Sequence, residues 1–543
     1  MIPIPLDPDS YRKHGWWRDR LVVDDLADLA ATRPDDTAMV TYSGDGGWTE
    51  QLTFSQLAEA VDSIATGLLE LGIGPGDRVC FQLPNWWYFT AVHLACSRIG
   101  AISCPLVPIL RRRELTYMLR VLRARIFITP TTYRRFDHAA LGRVLSETID
   151  SLEYVFDIDG PSDGAGSFQR QFLGRRGTAV TSALAGHPKP LADDIASIQF
   201  TSGTTGEPKG VLHTHNTLFA ATSLLPRSLG LTADDVVVMP SPLAHASGFL
   251  YGVLMPITWG QKVVYQDIWD ASRFLEIIDA EGGTYTMGSP PFVLDTIRAC
   301  KEQGRDAGTL RIFSCSGAPI PRYLAKLTPE VLGARLANNW GLTETGGATA
   351  MPFEKLDRSA DSDGAVSPAM QVRIVDGDGR ELPRGESGRL LIRGASKFVG
   401  YFERPDLTDA VVDAAGWLDT GDIASLDDDN YIAVTGRAKD LVIRGGENIP
   451  VVEVEAALYQ HPDVGEVAII GIPDRRLGER ACAVVVAANG RVPSLQSLLE
   501  HLDRCGFAKQ YWPERLELVD ALPRTAAGKV RKFVLQQQFS DMQ

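Results

Sequence analysis

Apolar residues recur at three- and four-residue spacing through much of the chain, and short β-rich runs separate these stretches. Leu57, Val61, Ile64, Leu68 and Leu69 fall on one helical face, which Ser55 can cap and Gly72 can stop. "DRVCFQL", "RIFIT", "VVVMP" and "KVVYQ" read as strands between such helices. That alternation predicts an α/β protein of layered, mostly parallel sheets. From about Val372 to Ile392 strand-like pieces follow one another around "DGDGRELPRGESG", which predicts an antiparallel or barrel-like subdomain. "DGPSDGAG" (159 to 166) reads as a surface loop, and there is no internal repeat.

Near Arg437 the pattern changes. A short helix (Glu453 to Tyr459), strands "EVAIIGI" and "ACAVVVAA", and a helix carrying Leu495, Leu498, Leu499 and Leu502 on one face suffice for a small α+β domain. A large N-terminal domain over 1–436 and a small C-terminal domain over 437–543 are therefore expected. The length of 543 residues agrees, since one hydrophobic core seldom serves so many.

Charge narrows the partners. A formal charge of −14 argues against a general binder of nucleic acid or anionic membranes, because those ligands attract net positive fields. A polyanionic ligand would need a local cluster of cations. The seven cysteines are scattered, with no C-x-x-C pair, and read as reduced core residues. The start "MIPIPLDPDS" lacks the basic flank and apolar run of a leader, and no apolar run approaches eighteen residues, so no integral membrane segment and a cytoplasmic address are expected.

One loop carries candidate chemistry. "TSGTTGEPKG" (201 to 210) holds three glycines, four hydroxyl side chains and Lys209. A phosphate cradle needs close backbone N–H groups, hydroxyl donors and a cation, and all three are present. A bare Gly/Ser/Thr linker has the same composition. However, "ASIQF" before the loop reads as a strand, and "VLHTHNTLFAATSLL" after it reads as a strand running into a helix. The common P-loop pattern is not met: Pro208 stands five residues after Gly203, and Gly210 follows Lys209 where a hydroxyl would be required.

"TSGTTGEPKGV" resembles the signature loop of the acyl-adenylate-forming (AMP-binding) superfamily, which includes acyl-CoA synthetases, aryl-acid ligases, peptide-synthetase adenylation domains and firefly luciferase. Four more stretches match in order: "PLAHASG" (242 to 248), "NNWGLTETGG" (338 to 347), "GWLDTGDI" (416 to 423) with "GRAKDLVIRGGENI" (436 to 449), and "LPRTAAGKVRK" (522 to 532). The likeness spans essentially the whole chain. It implies joining of a carboxylate to the α-phosphorus of ATP, loss of pyrophosphate, and transfer of the acyl group to a thiol. Both reactants are anions, so positioning and charge neutralisation, with Mg²⁺ sharing the load, are the catalytic task.

The resemblance assigns roles. Thr201, Ser202, Gly203, Thr204, Thr205, Gly206 and Lys209 would hold the β- and γ-phosphates. Glu344 would bind Mg²⁺, and Thr343 would contact the α-phosphoryl oxygens. Trp340 would stack on adenine beside the backbone of Gly317, Ala318 and Pro319, with Asn339 and Gly341 flanking it. Asp422 would accept both ribose hydroxyls and Arg437 would donate to the same sugar. Lys529 would bridge the substrate carboxylate and α-phosphate in the transition state. Rotation of a mobile C-terminal domain about a hinge at Lys439 would open a thiol tunnel lined by Gly445, Gly446 and Glu447.

His245 matches the position bordering the substrate carboxylate. Ala246 stands where amino-acid-activating relatives place Asp and 2,3-dihydroxybenzoate enzymes place Asn, so an amino-acid substrate would leave its ammonium unpaired. By the same resemblance, Phe249, Leu250, Met287, Gly288, Pro290 and Gly317 would complete an apolar acid pocket. "YRKHGWWRD", "QLPNWW", "PLVPILRRRELTYML" and "PERLELVDALPRT" resemble cyclohexanecarboxylate-CoA ligases and related enzymes. Alicyclic, aromatic and medium-chain acids all stay open, because a methylene-sized pocket change shifts selectivity by only about 1 to 3 kcal/mol. The thiol is CoA or the phosphopantetheine of a carrier protein, and a non-catalytic ATP-binding protein is the reading from another class. Monomer and homodimer are both open. In "LRRRELTYMLRVLRAR" (110 to 125) the arginines oppose Leu115, Met118, Leu119 and Leu122 across a helix; a solvated face, CoA's 3′-phosphate or a carrier protein's acidic surface could each account for them.

Overall fold

The computed structural model of the chain describes residues 7–44, 47–158, 166–174, 184–201, 208–438, 442–444, 447–474, 476–488, 490–524 and 530–540. Two seven-stranded sheets dominate the N-terminal part. In the first the order is Arg335–Asn338, Ile312–Cys315, Tyr285–Gly288, Val236–Met239, Lys262–Gln266, Thr37–Tyr42 and Thr49–Thr53. Its first six strands are mutually parallel and the last pairs antiparallel. In the second sheet Ile195–Thr201, Ile102–Pro105, Arg78–Phe81, Ile126–Pro130 and Tyr154–Ile158 run parallel. Lys209–Thr214 and the short Gly400–Tyr401 add antiparallel strands at the Ile195–Thr201 edge.

Strand periodicity explains the layering. Val237 and Met239 face the main core between the two sheets, whereas Val238 faces a separate core on the other side. Helix Trp87–Ile99 lies within the main core and is buried almost all round, as a helix between two sheets must be. Helix Phe54–Glu70 packs beside it with Leu57, Val61, Ile64 and Leu68 buried. Its cap is Thr53 and not Ser55: the Thr53 hydroxyl accepts from Gln56 N–H, and the Gln56 side chain returns to the Thr53 N–H. Ser55 therefore lies inside the first turn, because the Thr-x-x-Gln spacing satisfies two orphan donors where Ser55 would satisfy one.

The strand-rich stretch forms an antiparallel sheet of Met370–Val375, Gly388–Gly394, Leu418–Leu426 and Ile432–Arg437. Beyond it, Glu447–Ile449, Val442–Arg444, Gly478–Ala487 and Val464–Asp474 make a further sheet, with Arg515–Leu518 alongside Gly478–Ala487. Helices Val451–Leu458 and Leu495–Arg504 cover one of its faces and Lys532–Ser540 the other. The basic run forms helix Arg112–Val121, with Leu115, Met118, Leu119 and Leu122 buried and Arg112, Arg113 and Arg120 exposed. Six cysteines are buried and Cys505 is exposed. No helix among the described residues is long and apolar enough to cross a membrane.

Candidate active site

Parallel strands deliver the site. The first sheet sends its carboxyl ends to one edge, where open α/β sheets gather ligand-binding loops. Val236–Met239 leads to His245, Tyr285–Gly288 ends in Gly288, Ile312–Cys315 leads to Gly317, and Arg335–Asn338 leads to Asn339 and Trp340. Gly317 has φ +84, a backbone state that suits glycine.

Gly317, Ala318, Pro319, Asn339, Trp340, Gly341, Asp422 and Arg437 line one cleft of about 310 Å³. The sequence placed these eight together, and the fold gathers them from four separate segments. Asp422 and Arg437 are register partners on neighbouring strands. The Arg437 Nε lies 2.9 Å from Asp422 Oδ1, and the Trp340 indole N–H donates to Oδ2 at 2.9 Å. Only 3% of the Asp422 side chain is exposed. These two donors hold the carboxylate in one orientation at the cleft wall. Trp340 therefore aims the carboxylate as well as lining the cleft.

Segments from the C-terminal part close the same cleft with Val451, Tyr459, Glu466, Val530 and Lys532 among others. Its cations there are neutralised: Lys532 meets Glu455 at 2.6 Å and Arg524 meets Glu466 at 2.9 Å.

Thr343 and Glu344 occupy the tip of a tight hairpin in which Gly341 opposes Gly347 and Leu342 opposes Gly346. A Cβ on Gly341 would lie 1.9 Å from the Gly346 carbonyl oxygen, so glycine is required for this closure. The tip is pinned from two sides. His213 Nε2 donates to the Thr343 carbonyl at 2.7 Å, and Phe398 N–H donates to the Glu344 carbonyl at 2.7 Å. Burial pushes the His213 pKa down to about 4, which keeps the ring neutral.

Tyr401 joins the two charged groups. Its hydroxyl donates to Glu344 Oε1 at 2.8 Å, and the Lys209 ammonium sits 4.9 Å from its ring centroid. Burial and the adjacent Glu344 charge raise the Tyr401 pKa, so the phenol stays a donor. One hard carboxylate with substrate phosphates and water is a donor set that Mg²⁺ takes, and Glu344 fits it.

Thr201 ends its strand directly opposite Lys209, which fixes both stems of the candidate phosphate loop. Ser202, Gly203, Thr204, Thr205 and Gly206 lie outside the described residues, as do Lys439, Gly445, Gly446 and Lys529. Glu447 begins a strand and pairs with Arg444.

Of the acid-pocket candidates, Pro290 and Gly317 line the cleft, whereas His245, Ala246, Phe249, Leu250, Met287 and Gly288 do not. His245 and Ala246 are half-buried at the start of a helix, whereas Phe249 and Met287 are fully buried. Phe249 packs edge-on against His93, with centroids 4.8 Å apart. Gly288 pairs with Cys315 and accepts from Ser316 N–H at 3.2 Å, which puts it next to the Gly317 turn. The helix turn Phe249–Leu254 is π-type, a local widening frequent at functional sites.

Tyr401 and His213 were not legible as site residues. Each acts across more than fifty sequence positions, and periodicity carries no signal at that range.

Comparison with known proteins agrees with this geometry. The family model for the AMP-binding enzyme matches residues 26–402, and that for the AMP-binding enzyme C-terminal domain matches residues 453–529. The chain belongs to the AMP-binding enzyme family. A medium-chain fatty-acid–CoA ligase of Escherichia coli (strain K12) is 36% identical over 97% of this chain and 92% of its own. A salicylyl-CoA synthase / salicylate adenylyltransferase of Streptomyces sp is 32% identical over 98% and 96%. Among solved structures, the anthranilate CoA ligase AuaEII in complex with anthranoyl-AMP superposes with a TM-score of 0.86 at 25% identity, covering 96% of this chain and 97% of that one. ATP-bound MatB from Rhodopseudomonas palustris gives 0.81 at 27%, covering 96% and 99%. These likenesses make this family member an adenylate-forming acid–thiol ligase of the acyl-CoA synthetase branch.

Proposed function

We propose that the chain activates a hydrophobic monocarboxylic acid, medium-chain, alicyclic or aromatic, to its acyl-AMP and then transfers the acyl group to CoA, in the cytoplasm. The observation that carries this reading is the buried Asp422, held by Trp340 and Arg437 in a cleft shared by the N- and C-terminal parts. An acceptor-only carboxylate aimed into such a cleft suits a ribose, and its neighbours Gly317, Ala318 and Pro319 suit a purine edge. Ala246 supports an acid without an ammonium group, because its methyl side chain gives that position nothing to pair with a cation.

Glu344 is the residue that would hold Mg²⁺, an ion that supplies charge neutralisation on phosphate oxygens when bound. Lys209 adds a fixed cation beside it, and Thr343 adds a hydroxyl. His245 borders the carboxylate, and Lys529 approaches it from the C-terminal domain during adenylation. Residues 437–543 move about Lys439 between the two half-reactions, with Gly445, Gly446 and Glu447 lining the path of the thiol arm. The test is pyrophosphate release over a panel of acids, with and without CoA. Release that needs a hydrophobic acid and yields acyl-CoA supports the reading. Acyl-AMP that passes only to a pantetheinylated carrier protein would replace CoA with that partner.

A further inference from the structure

We infer that Asn85 is a positioning residue for the acid-facing loop that ends in His245. Asn85 follows the interior strand Arg78–Phe81 of the second sheet, yet its side-chain hydrogen bonds go to strands of the first sheet and to the loop that follows Val236–Met239. Its Nδ2 donates to Ser241 O at 2.9 Å and Gln266 O at 3.1 Å, with Met239 O at 3.4 Å, and its Oδ1 accepts from Leu243 N–H at 3.0 Å. The side chain is 5% exposed, so no water competes for these groups.

The bonds continue into the candidate acid site. Ser241 Oγ donates to Met287 O at 2.8 Å. His245 N–H donates to Pro242 O at 3.0 Å, and Phe249 N–H donates to His245 O at 2.8 Å. A Cβ on Gly248 would lie 2.2 Å from Pro242 O, so the helix after His245 presses on the same loop and leaves it little room to shift. One amide thus sets the height of His245 against Met287, and through them the depth available to an acyl chain. This inference rests on the acid:CoA ligase reading. It adds a residue that touches neither substrate and acts on the acid only.

Asn85→Asp is the direct test, since it keeps the shape and the acceptor but turns an oxygen toward three carbonyls. The KM for the acid should rise at least tenfold with the KM for ATP within twofold. The ratio of kcat/KM between two acids differing by two methylenes should change at least threefold. Loss of folded protein alone cannot move that ratio. Hydrogen exchange of residues 239–248 should quicken tenfold or more while strands Tyr285–Gly288 and Ile312–Cys315 stay protected. Ser241→Ala, which removes only the bond to Met287 O, should shift the same ratio by a smaller factor. Equal changes in both KM values with an unchanged ratio, or exchange that quickens uniformly, would overturn the inference. If the unmodified protein activates no acid, the ligase reading fails instead, and the exchange measurement still decides whether Asn85 holds the loop.

Discussion

Tyr401 donates its phenolic hydrogen to Glu344 at 2.8 Å while the Lys209 ammonium rests 4.9 Å from the same ring. The end of the phosphate loop and the candidate Mg²⁺ carboxylate are therefore oriented by one side chain. Tyr401→Phe keeps the ring and removes the donor. A hydrogen bond to a charged group contributes about 1.5 to 3 kcal/mol, so acid-dependent pyrophosphate exchange should fall about tenfold or more. Titration of exchange against Mg²⁺ checks it. An unchanged rate would mean that Glu344 holds its orientation without Tyr401.

Asp422→Asn replaces an acceptor with an amide between two fixed donors, the Trp340 indole and the Arg437 guanidinium. One donor must then face an N–H group, and the arginine loses a buried partner. Losing a hydrogen bond to a charged group costs about 1.5 to 3 kcal/mol. The KM for ATP should rise about a hundredfold with the KM for the acid little changed. Parallel initial-rate series in the two substrates measure the split.

How much of this arrangement the sequence reveals depends on the range of each interaction. The strands at Arg78, Ile126, Val236 and Lys262 and the helix over Phe54–Glu70 follow from local periodicity, which needs no partner. Ser55 was misplaced as the cap because two hydroxyls compete there, and the Gln56 side chain decides for Thr53. The cleft residues were legible through motifs. Their mutual geometry was not, since Trp340 and Asp422 lie 82 positions apart and meet only when two sheets pack. The buried state of Phe249 and Met287 was equally hidden, because an apolar residue on a core face and one on a pocket wall have the same pattern.

Buried histidines make stability depend on pH. Desolvation lowers the pKa of His93 from 6.5 to about 3 and that of His215 to about 4. The unfolded chain therefore binds more protons than the folded one as pH falls below 6.5. Stability from these groups is fully present above that value and is lost as pH falls through about 4 for His215 and about 3 for His93. The slope should grow to about 2.7 kcal/mol per pH unit for two protons. Urea unfolding at pH 7, 5.5 and 4.5 should show the midpoint dropping across this window. A flat midpoint would mean that both rings are already charged in the fold.

Lys529 is assigned by its motif to adenylation alone. Lys529→Ala should slow acyl-AMP formation about a hundredfold or more, about 3 kcal/mol, while a supplied acyl-AMP still reacts with the thiol. Single-turnover assays of each half-reaction separate the two. Equal loss in both would remove the assignment.

ATP–pyrophosphate exchange in the presence of Mg²⁺ and a panel of hydrophobic acids probes the cleft most directly. Exchange that depends on the acid, with acyl-AMP recovered when CoA is withheld, is the expected result. No acid-dependent exchange and no AMP-linked product across the panel would contradict the reading of Asp422, Arg437 and Glu344 as a site that activates a carboxylate.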